Sequence, residues 1–232
     1  NAHWHNGHKE YHKEQKQWAK ADREGGQPER TRSLAEAEAR LAEMTGDEND
    51  KRFAAALALM AEDDHNAAAK AWRKIIKQWP EDPVAYRNLA IVLHSSCRLV
   101  EAAPMYLKAM ELCEDGTEQW GTAAAEAFDL LKLPACDEVP KPEWWNDEAL
   151  KALSARAVAV APDEQKPCAM RARVLSGGAL SKAPWNAGLR TAAEVKEAAT
   201  CYRRAAMLTP IPSVELRFDN EARQCDEYAD PL

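Results

Sequence analysis

The chain has 232 residues, 31 Lys and Arg against 38 Asp and Glu, a formal net charge of −7 and a mean hydropathy of −0.59. About one residue in five is Ala and three Phe stand beside eight Trp, so the apolar content is small and helix-favouring rather than bulky and β-branched. These values exclude a membrane span, because no run approaches the ~20 apolar residues that a bilayer requires, and they exclude the basic excess that phosphate backbones demand.

In chain order, apolar periodicity and breaker residues predict helices over 8–24, 29–44, 48–62, 65–79, 83–96, 99–113, 117–132, 147–161, 165–176, 191–208 and 213–229. Pro28 suits a first helical turn, and Asp63-Asp64 and Asn146-Asp147 offer N-caps. Segment 1–46 is highly charged, with little apolar stripe beyond Leu34, Leu41 and Met44; such a helical extension either crosses to a partner or stays solvated. His3, His5, His8 and His12 cluster at its start. His8 and His12 would share a helix face at the i, i+4 spacing that binds a divalent metal, yet no Cys lies near and the acidic neighbours alternate with Lys. We read a solvated tail there and assign no metal site. The first residue is Asn1, not Met, as expected of a mature or excised fragment whose targeting segment is out of view.

Four helix endings are alike: Lys74–Pro80, Lys108–Glu114, Arg156–Pro162 and Arg204–Pro210. Each runs from a cation through an apolar turn to a stop that is Pro in three cases, which places positive charge near the negative end of the helix dipole. The endings are 34, 48 and 48 residues apart, and the longer spacing exceeds the shorter by fourteen. In residues 83–116, Tyr86, Leu89, Ala90 and Leu93 occupy one helix, and Ala102, Tyr106 and Ala109 the next. Residues 49–82 keep Ala68, Trp72 and Pro80, and the last ending keeps Ala198, Tyr202, Ala205 and Pro210. In the third copy Leu150 and Ser154 replace the small and aromatic residues. This 34-residue pattern over 49–212 resembles the tetratricopeptide repeat (TPR), a helix–turn–helix unit that stacks into a solenoid. The resemblance implies an all-α fold: a TPR-like α-solenoid over 47–232, a charged N-terminal helical extension over 1–46, and a C-terminal capping helix at 213–229 with a polar outer face.

The fourteen extra residues fall at 133–146 (LPACDEVPKPEWWN) and 177–190 (GGALSKAPWNAGLR), both between the helices of a repeat and both rich in turn residues. Loops of this length tend to be functional, and they carry Trp144, Trp145 and Trp185. Adjacent residues of an extended segment face opposite ways, so one Trp of the pair is expected to fold back and the other to face a partner.

No G-x-S-x-G, Gly-rich phosphate loop or H-E-x-x-H occurs, and no two of the six Cys make a C-x-x-C. We therefore assign no catalytic residue and no cofactor, and read Cys97, Cys113 and Cys201 as small packing residues in a reducing compartment. In the TPR family the first helix of each unit lines a concave groove. The matching positions here include Phe53, Leu57, Arg87, Asn88, Ile91, His94, Lys166 and Arg173, a mixed apolar and basic set suited to an amphipathic or acidic segment. Phe53, Leu57 and Ile91 equally suit packing against adjoining helices. The places where some members clamp a C-terminal carboxylate read Phe53, Leu57, Asn88, Glu118 and Thr122, and only Asn88 fits. The expectation is a non-enzymatic interaction scaffold or accessory subunit with protein partners, neither nucleic-acid-binding nor membrane-inserted. The alternative is the regulatory part of a longer enzyme.

Overall fold

The computed structural model describes residues 36, 39 and 48–230; the helices expected over 8–24 and 29–44, and the His cluster, lie outside the described residues. The described residues contain no strand. Their helices are α1 (Glu48–Ala61), α2 (His65–Gln78), α3 (Pro83–Ser95), α4 (Leu99–Leu112), α5 (Glu118–Leu131), α6 (Asp147–Val160), α7 (Gln165–Ser176), α8 (Ala192–Leu208) and α9 (Pro212–Ala229). From α1 onward each expected end falls within one residue of the observed end, because local caps and breakers set most of the boundaries. Asp82 accepts from the Val84 amide at 2.8 Å with Pro83 opening α3. Thr117 accepts from Trp120 N at 3.2 Å, Asn146 from Ala149 N at 3.0 Å, and Thr191 with Glu194 closes a reciprocal capping box. None of these helices is long and apolar enough to cross a membrane.

The chain divides into two units, residues 1–71 and 72–232. In the first, Ala54, Ala56, Leu57, Ala68 and Ala69 are buried. In the second, each helix from α3 packs on the next, and α5 also packs on α7. The closest approaches use small residues: Ala102, Ala109, Ala198 and Ala205 are all fully or almost fully buried. Gly121 takes this furthest, since a Cβ there would meet Val160 Cγ2 at 2.7 Å and the Ala157 carbonyl at 3.0 Å, so α5 and α6 come together backbone to backbone. Leu150 and Ser154, the residues that depart from the repeat pattern, are nonetheless core positions with no exposure.

The turn after α3 departs from expectation. Cys97 is exposed rather than packed, and it adopts φ 60°. Its amide donates to His94 O at 2.9 Å and that of Arg98 to Leu93 O at 2.8 Å, the paired bonds of a Schellman ending that favours Gly at the left-handed position. Cys97→Gly is therefore expected to stabilise the protein by about 1 kcal/mol, read as a raised midpoint in urea. A lowered midpoint would mean that the thiol makes a contact worth more than the backbone strain.

Candidate partner-binding face

Helix α5 sits among α4, α6 and α7, and ten of its fourteen residues are buried. Of its three carboxylates Glu118 is exposed at the first turn, while Glu126 and Asp129 lie along the packed length, where a charge must be matched. Glu126, with 1 % of its side chain exposed, accepts Arg87 Nε at 2.7 Å and Arg87 Nη2 at 2.8 Å from α3, and Lys166 Nζ at 2.7 Å from α7. One turn on, Asp129 Oδ1 accepts Lys132 Nζ at 2.5 Å and Arg173 Nη1 at 2.9 Å. The cations retain accessible surface: 43 % for Arg87, 34 % for Lys166, 23 % for Lys132 and 18 % for Arg173. Arg173 also lies over the Phe218 ring of α9 at 5.6 Å. Odd-numbered helices α3, α5, α7 and α9 thus share one charged face, on which Glu126 and Asp129 each serve two cations. From α9 Arg217 acts on Lys132 and Glu221 on Arg173, one charge of each sign, and Glu164 adds the smallest of the attractions on Arg87.

The electrostatics follow from burial and sharing. Burial alone would raise the Glu126 pKa, but Lys166 and Arg87 overcome it and hold it at about 2. Burial also opposes ionisation of Asp129, and Lys132 with Arg173 keeps it well below the usual carboxylate range. Lys132 is pushed down to about 8, by desolvation first and by the neighbouring Arg173 charge second. A carboxylate depressed on folding contributes stability that is complete above its unfolded pKa and is lost as pH falls towards the folded one. Glu126 is accordingly expected to contribute about 2 kcal/mol near neutrality, discounted because Arg87 and Lys166 are partly solvated, and to lose it between about pH 4.5 and 2. Urea midpoints across that range should fall less steeply for Glu126→Gln than for the wild type; parallel curves would contradict the assignment.

The two insertions converge on Phe128 of α5, over whose ring Lys132 Nζ also lies at 5.8 Å. Phe128, with no exposure, has the rings of Trp145 at 5.7 Å and Trp185 at 5.5 Å, and Trp144 follows at 5.9 Å from Trp145. Trp185 is buried, and Trp144 and Trp145 are both half-buried. Both residues of the pair therefore pack on this core, and the expected division into one inward and one outward ring is not seen. Their backbone is not extended, since Trp145 N donates to Pro142 O and Asn146 N to Trp144 O in a tight turn. Lys141 fixes the first insertion by donating to Leu131 O at 2.8 Å and Cys136 O at 2.7 Å.

Arg190 fixes the second. Its guanidinium donates to Asp147 Oδ2 at 2.8 Å, Asp147 Oδ1 at 2.5 Å, Gly188 O at 3.1 Å and Val174 O at 2.9 Å. Asp147 also accepts Gly188 N and Trp185 Nε1, and Arg190 holds its pKa at about 2. The pinned loop leaves Leu189 almost wholly exposed.

Of the residues singled out in the sequence, Arg87, Lys166 and Arg173 belong to the charged face, and Trp144, Trp145 and Trp185 gather around Phe128. Asn88 and Ile91 are half-buried on α3, and His94 is exposed. In the first unit Phe53 is half-buried and Leu57 buried. The residues missed were Glu126, Asp129, Lys132 and Arg190. Glu126 and Asp129 were detectable as charges inside the apolar run AAAEAFDLL; Asp147 was noted only as a cap, a task that Asn146 performs.

No protein-family model matches the chain, and no curated protein matches it.

Among the described residues no cluster of His, Cys, Asp and Glu is arranged to hold a metal ion. Burial pushes the Cys201 thiol up to about 11 and that of Cys225 to about 12, which keeps both protonated and weakly nucleophilic.

Proposed function

We propose that this chain is a TPR-like α-solenoid that works as a non-enzymatic interaction scaffold or accessory subunit, holding a segment of a partner protein against the shared face of its odd-numbered helices. The observation that carries this reading is the face itself. Arg87 and Lys166, both partly exposed, meet there with the more enclosed Lys132 and Arg173 around two carboxylates of one helix, far more charge than helix packing requires. The alternation of helices supports the repeat reading, with small residues at the closest approaches and a polar exposed side on α9 that includes Glu215, Asp219, Arg223 and Glu227. Leu189, displayed on a loop pinned on both flanks, supplies a second contact of the kind that anchors an interface.

Purification from the native source, followed by mass spectrometry of what co-elutes, tests this. A protein that co-elutes in fixed stoichiometry is expected. Elution of the chain alone as a monomer at every salt concentration would overturn the reading.

A further inference from the structure

The charged face has a repeated defect in its own neutralisation. Two cations share Glu126, and two more share a single oxygen of Asp129. Each trio carries one positive charge beyond its carboxylate, and each retains N–H donors that no protein acceptor occupies, since a Lys brings three and an Arg five. The surrounding helices partly cover these cations, so a surplus charge is screened less than in open water. Lys132 is pushed down by burial first and by the Arg173 charge second, and only the second of these reports the surplus.

Spacing limits what neutralises both. Glu126 and Asp129 are three residues apart on α5, a rise of about 4.5 Å, and Lys166 and Arg173 seven apart on α7, about 10 Å. Acidic side chains at i and i+2 of an extended chain, on one side and about 7 Å apart, fall between these values. An amphipathic helix would want a continuous apolar stripe to dock on, and among the described residues α5 and α7 carry no exposed large apolar side chain, while α3 carries Val84 and α9 Leu216 and Tyr228.

We propose that this face seats an extended acidic segment of a partner protein, one carboxylate lying against Arg87 and Lys166 and a second, two residues along, against Lys132 and Arg173. This rests on the scaffold reading and specifies the chemistry of its partner. The binding is electrostatic, so it weakens with salt, and its loss need not disturb contacts made elsewhere on the chain.

The test uses a fluorescein-labelled alternating Ala-Glu decapeptide, titrated with the full chain and followed by anisotropy. Saturable binding is expected at low salt, weakened about tenfold or more at an ionic strength of about 0.3 M. An Ala-Lys decapeptide should not bind. Lys166→Glu, and separately the pair Lys132→Gln with Arg173→Gln, should each weaken binding by about tenfold or more at matched helicity. Arg203→Gln, which removes only an exposed pair with Asp226, should leave it unchanged. If the double variant does not fold, Lys166→Glu decides, since its side chain is one-third exposed. Absence of saturable binding, or binding indifferent to these substitutions, overturns the proposal. A natively purified assembly that survives Lys166→Glu would overturn the acidic occupant while leaving the scaffold in place, whereas a chain that purifies alone removes the scaffold itself.

Discussion

Phe128→Ala is expected to lower the stability of the folded chain by about 3–5 kcal/mol. The ring is fully buried and is the point at which both insertions meet α5, with Trp145 and Trp185 within 6 Å. Removing it leaves a cavity that two large rings, each tied to its own loop, are poorly placed to fill, and forfeits two aromatic contacts worth about 0.5–1.5 kcal/mol each. Trp emission should shift to the red in the variant before the helices melt, because the insertions lose their anchor first. Phe128→Leu keeps most of the volume and should cost less than half as much. A stability loss for Phe128→Ala within about 1 kcal/mol would show that the insertions are held by other means.

The second large effect is at Gly177. It adopts φ 46° and ψ −130°, a conformation open almost solely to Gly, and a Cβ there would lie 2.6 Å from Arg190 Nη2 and 2.7 Å from its Nε. Ala at this position is strained in the backbone and also displaces a guanidinium whose side chain is 1 % exposed. Arg190 would then leave the Val174 carbonyl without its donor and Asp147 without the guanidinium that matches its charge. Backbone strain of about 1–3 kcal/mol and the loss of a largely buried ion pair together put Gly177→Ala at about 4 kcal/mol. The adjacent residue is the control. A Cβ on Gly178 meets nothing within 4 Å, so Gly178→Ala should change stability by less than about 1 kcal/mol. Equal urea midpoints for the two variants would contradict the role given to Arg190.

How far the fold can be read from residues alone depends on the range of the forces concerned. Helix ends were legible because caps act over three residues: Asp82, Thr117, Asn146 and Thr191 sit beside the amides they satisfy. The insertions were legible as departures from a period, but their packing was not, because the partner of Trp185 is Phe128, on another helix and far along the chain. The charged face was half legible. Arg87, Lys166 and Arg173 are singled out by the resemblance to a helical repeat, yet the carboxylates that organise them come from α5 and are separated from them by about forty residues in sequence. Spacing within one helix does not reveal which residue of another will stand opposite.

The measurement that bears most directly on the shared face of the odd-numbered helices is cross-linking of the native assembly with an amine-to-carboxyl reagent, followed by peptide mapping. Links from Lys132 and Lys166 to acidic residues of a co-purifying protein are predicted, and they should disappear at high salt. Links to a partner confined to lysines elsewhere, such as Lys182 and Lys196, would contradict the account.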